Sequence, residues 1–217
     1  MDVVVAGGHG QIALRLLRLL ADRGDRARGL IRNPDHAADL TSVGATPVLC
    51  DLEGDGVDVA AAVAGADAVV FAAGAGPGSG AARKRTMDHL GAVRLIEAAQ
   101  ATGVDRYLMI SAMGAGRPEL ARDDVFAAYL VAKGAADEAL RASGLAFTIV
   151  RPGLLSDDPG TGLVAAAPEL PRGQIPRDDV AATLLAVLDA PLTAGLTFDL
   201  VSGDTPVAEA VAALPAA

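Results

Sequence analysis

Residues 3–17 read VVVAGGHGQIALRLL: an apolar run meets three glycines within four positions and passes at once into helical spacing. The β-branched start predicts a strand, and the apolar positions from Ile12 onward recur as on one face of a helix. A strand without polar alternation has both faces covered. One that turns directly into a helix continues to a parallel neighbour by a right-handed crossover. This corner restricts the chain to a layered α/β architecture.

The rest of the chain repeats the theme. Strands are expected at residues 2–7, 26–32, 45–52, 67–74, 104–115 and 146–153, with helical patterns at 10–24, 34–44, 57–66, 87–103 and 126–144. Six strands with intervening helices predict a doubly wound parallel sheet flanked by helices. The segment 154–176 is rich in Gly and Pro and reads as loop with one short strand. A capped helix at 177–190, a strand at 195–203 and a terminal helix from Pro206 complete a small C-terminal substrate-side region, mainly residues 153–205. At 217 residues with no linker or repeat, one domain over 1–217 is expected.

Composition narrows the function classes. The 52% hydrophobic content is mostly Ala, Val and Leu with only 3% aromatic residues, which suits helices packed closely on a sheet. A net charge of −9 argues against nucleic acid as a partner, because a polyanion is repelled by such a surface. Cys50 is the single cysteine, so no intrachain disulfide forms. No leader pattern and no spanning apolar run are visible, and a cytoplasmic protein without a membrane partner is expected. His36 and His89 lack metal-ligand spacing, and no metal is expected.

The glycine corner has a chemical reading. The first N–H groups of the helix, from Gln11 and Ile12 on, lack intrahelical partners and carry the positive end of the helix dipole. A pyrophosphate satisfies both. Gly7 and Gly8 permit the tight turn, Gly10 lets phosphates approach the backbone, and Ala13 allows close helix–strand contact. His9, inside the corner, is placed to cover the pyrophosphate. At the end of the second strand the chain has LIRNP, and Arg32 stands where NAD-specific sites carry an acid, so NADP(H) is favoured over NAD(H). Asp51 and Leu52 fall at the adenine edge, or serve turn and packing. Ala72, Ala73 and Gly74 line the crevice with small residues. Arg83–Arg85 reads as a solvated helix start, or, near the phosphates, as added local attraction.

Residues 129–133 read YLVAK, placing Tyr129 and Lys133 on one helix face. A phenol titrates near 10, and an adjacent ammonium is expected to bring it into working range as a proton donor or acceptor. Ser111, ending the fifth strand, is expected to orient a substrate oxygen. Asp157 and Asp158 lie in the substrate-side loop, touching ligand or capping a turn.

These stretches together resemble the short-chain dehydrogenase/reductase superfamily, in its atypical, compact NAD(P)H-binding branch of NAD-dependent epimerase/dehydratase type. GGHGQIA, LIRNP, CDL, ISAMGA, the run YLVAKGAADEALRASGLAFTIVRPG, DDPGTG and IPRDDVA fall in family order. The resemblance implies a Rossmann fold and a tetrad in which Ser111, Tyr129 and Lys133 match the catalytic serine, tyrosine and lysine. Asp88 stands where the superfamily has asparagine, and a carboxylate there is expected to hold the lysine charged more firmly. Lys133 also falls to the nicotinamide ribose, and Pro152, in the VRPG run, joins the cofactor-binding set. The expected activity is NADP(H)-dependent hydride transfer to or from a small carbonyl, quinone or related substrate. An epimerase or dehydratase requires the same residues, whereas an NmrA-like redox sensor needs only the cradle. Oligomeric state is open.

Overall fold

The computed structural model describes residues 1–54, 56–76 and 78–215. The first half alternates as expected: β1 (Asp2–Ala6), α1 (Gln11–Asp22), β2 (Arg26–Ile31), α2 (Ala37–Ser42), β3 (Thr46–Leu49), α3 (Val59–Val63) and β4 (Ala68–Phe71). Then come α4 (Ala81–Arg83), a π-helical stretch (Lys84–Gly91) and α5 (Ala92–Thr102), followed by β5 (Arg106–Ile110), α6 (Asp124–Arg141) and β6 (Ala146–Pro152). The C-terminal part holds β7 (Leu154–Ser156), β8 (Leu163–Ala167), β9 (Gln174–Pro176), α7 (Arg177–Leu188), β10 (Leu196–Ser202), β11 (Thr205–Pro206) and α8 (Val207–Ala212).

One nine-stranded sheet runs in the order β11-β8-β10-β6-β5-β4-β1-β2-β3. Its members from β3 through β10 pair parallel, and antiparallel pairing enters only where β8 joins β10 and β11. The order reverses between β1 and β4, which opens a crevice at the carboxyl ends of those strands. Successive β1 residues point to opposite faces. Val3 and Val5 enter the core under α1 and α7, while Val4 and Ala6 enter the one under α5 and α6, and all four are fully buried. On α1, Leu16, Leu17 and Leu20 are fully buried, each contributing roughly 1.5–3 kcal/mol.

Three sequence expectations are corrected. The helix after β4, expected to start near Arg83–Arg85 and run on through 87–103, starts at Ala81 and passes through a π-helical stretch, whose register no apolar period reports. The segment expected to hold one short strand contains β7, β8 and β9, because β8 finds β10 as an antiparallel partner and β7 pairs with β9. The tail begins with β11 before its helix. Residues 216–217 of the expected terminal helix, and residue 77 of the glycine-rich corner, lie outside the described residues. Among the described residues no helix is long and apolar enough to cross a membrane.

Candidate functional site

The corner between β1 and α1 is built on backbone rather than side chains. Gly7 adopts φ +77°, and a Cβ there would lie 2.6 Å from the Ala73 Cα, so the turn is pressed against the end of β4. The Gly8 amide bonds the Leu30 carbonyl at 2.8 Å, and the Gly10 amide bonds Gly7 at 2.8 Å. Gly10 is the extended N-cap of α1 and offers no side-chain cap. The amides of Gln11 and Ile12 therefore remain without a partner among the described residues, at the positive end of the helix. A cleft of about 420 Å³ opens there. Its walls include Gly7, His9, Gly10, Arg32, Asp51, Leu52, Ala72, Ala73 and Gly74. Of the other residues expected to bind cofactor, Gly8, Gln11, Ile12, Lys133 and Pro152 stand outside this lining. Gly8 is buried beneath the corner, and Pro152 is buried in β6, its carbonyl accepting from the Met113 amide at 3.2 Å.

The far rim of the cleft carries Arg32, Arg83 and a pair of histidines, His9 and His36. Arg32 is exposed, with its guanidinium 3.7 Å from the Glu53 carboxylate. His9 stacks on His36 with ring centroids 3.6 Å apart, and its Nε2 meets Asp39 at 2.8 Å. Arg83, read either as a solvated helix start or as local attraction near the phosphates, lines the cleft, donating to the Ala75 carbonyl at 3.0 Å and to Glu53 at 2.9 and 3.2 Å. Burial raises the Glu53 carboxyl, but bonds from Thr86 and Arg83 and the charges of Arg83 and Arg32 outweigh it and hold the group below its usual range. Asp51 shapes the turn by accepting from the Glu53 amide at 2.9 Å. His36, Cys50, Glu53 and Met87 were not expected at the rim, because each joins it through the fold with no local pattern to mark it.

A second group lies behind the β4 end. Lys133, buried in α6, donates to the Ile110 carbonyl at 2.9 Å and stands 3.7 Å from Asp88. Asp88 accepts from the Ala75 amide at 3.2 Å, tying the cleft wall to the lysine. Gly74 allows this, since a Cβ there would lie 3.2 Å from the Asp88 carboxylate. The Lys133 ammonium is 5.9 Å from the Tyr129 ring centroid, and Phe126 stacks on the same ring with centroids 5.7 Å apart. Ser111, 4% exposed at the end of β5, has a buried hydroxyl with no partner among the described residues.

The electrostatics overturn the expectation for the phenol. Burial first, and then the charges of Asp88 and Asp137, push the Tyr129 hydroxyl well above the ordinary tyrosine value, so it stays protonated. Lys133 does not reverse this, because desolvation lowers its own affinity for a proton while Asp88 and Asp137 raise it. The loop expected on the substrate side is held from α7. Asp178 accepts from the Gly160 amide and from Arg15 of α1, and Asp179 accepts from the amides of Thr161 and Gly162. Asp157 pairs with Arg177 at 2.8 Å. Another groove, about 480 Å³ between α7 and α8, is lined mainly by alanine, leucine and valine and carries no comparable donor set.

The sequence model of the NAD(P)H-binding family matches residues 7–191. A Bacillus subtilis (strain 168) protein named as an uncharacterized sugar epimerase, YhfK, is 45% identical over 212 residues, spanning 97% of this chain and 99% of that one. The solved structure of a candidate NAD-dependent epimerase/dehydratase from Bacillus halodurans superposes with a TM-score of 0.91 at 38% identity, covering 98% of this chain and 99% of that one. The oxidoreductase YlbE of Lactococcus lactis follows the same course with a TM-score of 0.86 at 25% identity, covering 98% and 95%. With the amide cradle at the sheet's reversal point and a family match over most of its length, the chain belongs to the NAD(P)H-binding family and is similar throughout to a candidate NAD-dependent epimerase/dehydratase.

Proposed function

We propose that this protein is an NADP(H)-dependent reductase of small carbonyl, quinone or related substrates, with Tyr129 delivering the proton. The residues present fit the cofactor: unbonded amides at Gln11 and Ile12, a corner without side chains at Gly7 and Gly10, and a cleft that continues to Arg32 and the two histidines. The amides would hold the diphosphate, and Arg32 the 2′-phosphate, with charge-assisted bonds of roughly 1.5–3 kcal/mol. When bound, the nicotinamide supplies or accepts a hydride.

The chain's own contribution is the proton. The Tyr129 phenol is protonated across the physiological range, as a donor to a carbonyl oxygen must be, although burial and the charges of Asp88 and Asp137 make it a weaker acid than a free phenol. Lys133 stands within the electrostatic reach of that phenol and is anchored to the Ile110 carbonyl and Asp88. The unpartnered Ser111 hydroxyl is free to receive or donate a bond at the substrate oxygen. The observation that carries this reading is the meeting of Tyr129, Lys133 and Asp88 directly behind the cradle's Ala75 wall.

The test is NADPH oxidation against a panel of aldehydes, ketones, quinones and flavins, with Tyr129→Phe alongside. Turnover by the wild type, and its loss in a variant that still binds NADPH, supports the proposal. Tight NADPH binding without oxidation of any panel member overturns it in favour of a redox sensor. The name of the Bacillus subtilis relative supports a second reading, sugar epimerisation. That activity inverts a sugar stereocentre with no net consumption of cofactor.

A further inference from the structure

The chain has two lysines, and both meet at one side chain: the Lys84 ammonium lies 5.5 Å and the Lys133 ammonium 5.9 Å from the Tyr129 ring centroid. Lys133 is committed to the Ile110 carbonyl and to Asp88. Lys84 is not. Its hydrogen bond goes to the Gly76 carbonyl at 3.1 Å, and among the described residues it has no carboxylate partner. Its neighbours around the site differ in this respect. Arg83 is answered by Glu53 and Arg151 by Asp137.

Position matters as much as charge. Gly76 lines the dinucleotide cleft, so Lys84 stands at the seam between the cleft and Tyr129. Phe126 stacks beside Tyr129, and the Arg122 guanidinium lies 5.5 Å over Phe126, although Asp123 at 3.5 Å already answers that charge. A second ammonium near the phenol also opposes the charge on Lys133. Such an arrangement is relieved when an anion arrives. In a chain with 27 acidic against 18 basic residues, a cation left without an acid beside the proton donor marks where the substrate brings the negative charge.

We propose that Lys84 is a substrate-binding residue that selects carbonyl compounds bearing an anionic oxygen group, a carboxylate or a phosphate. This rests on the reductase reading above. A charge-assisted bond of this kind gives about ten- to a hundredfold preference.

Two measurements test it. The first compares kcat/KM for 3- and 4-carboxybenzaldehyde and 4-formylphenyl phosphate with their neutral methyl esters, in wild type, Lys84→Met and Lys84→Arg. The anionic aldehydes should be favoured about ten- to a hundredfold, more strongly at low salt. The ratio should collapse towards one in Lys84→Met and largely survive in Lys84→Arg. Relative rates of the carboxylates and the phosphate decide which anion is preferred. The second measures calorimetric binding of benzoate against benzamide to the NADP-saturated protein, which needs no turnover. If none of these aldehydes is reduced, the wider panel above judges the reductase reading, and the benzoate preference judges Lys84. A wild-type ratio near one, or a ratio that persists in Lys84→Met, overturns the proposal. So does a Lys84→Met variant that weakens NADPH binding, or that loses anionic and neutral substrates equally, since either makes the lysine a cofactor contact or a brace for the Gly76 turn.

Discussion

Gly134 of α6 is packed so tightly on Gly116, in the loop after β5, that a Cβ on Gly134 would lie 2.4 Å from the Gly116 Cα. The Gly116 amide reinforces the contact by donating to the Leu130 carbonyl at 2.8 Å. The helix that carries Tyr129 and Lys133 is thereby held against the end of the strand that carries Ser111. Gly134→Ala must push the two apart, at a cost of about 1–3 kcal/mol for overpacking. The expected result is a lower melting temperature and reduced turnover with NADPH affinity largely kept. An unchanged melting temperature would show that the contact relaxes freely.

Gly7→Ala should act on the cofactor instead. The left-handed φ of +77° costs an alanine roughly 1–2 kcal/mol, and its Cβ would meet the Ala73 backbone at 2.6 Å. Calorimetry should show loss of NADPH and NADH binding together, with a destabilised fold. Retention of either cofactor at wild-type affinity would remove the corner from the binding site.

The raised Tyr129 hydroxyl fixes a pH asymmetry. Reduction uses the protonated phenol and should show no alkaline loss from this group through pH 10. Oxidation of an alcohol needs the phenolate, whose fraction grows about tenfold per pH unit below its midpoint, so that rate should climb throughout the alkaline range. Asp88→Asn removes a negative charge that disfavours the phenolate, while the amide oxygen can still accept from the Ala75 amide. The oxidative profile should therefore shift to lower pH in the variant. A profile that stays in place would exclude Asp88 as the source of the asymmetry.

Glu53→Gln should separate stability from specificity. The Glu53 carboxyl has a folded-state pKa below its usual 4.5, so its contribution is present above that pH and is lost as pH falls through the folded value. Urea unfolding should find the variant less stable near pH 7 and nearly equal to wild type under strongly acidic conditions. The substitution also frees Arg32 from a carboxylate 3.7 Å away. NADPH should bind several-fold tighter while NADH is little changed. Equal changes for both cofactors would place Arg32 away from the 2′-phosphate.

What local chemistry dictates was legible in the chain itself. The strand-to-helix corner, the strand and helix alternation, and the shared face of Tyr129 and Lys133 depend on residues a few positions apart, where spacing alone decides which groups point together. The nine-stranded sheet follows from that alternation in its parallel part, but not in β8 and β11, whose few residues become strands only because β10 offers an edge.

The electrostatics were decided by the tertiary structure. A lysine four residues from a tyrosine suggested a lowered phenol, yet folding buries the lysine, leaves the tyrosine only partly exposed and sets Asp88 and Asp137 near them, so desolvation and these charges push the phenol up. The meeting of His9 with His36, of Arg32 with Glu53 and of Lys84 with Tyr129 joins segments far apart in the chain. Charges and desolvation act through space, so a linear sequence names the groups that can titrate, and only the packed molecule sets the direction in which each is moved.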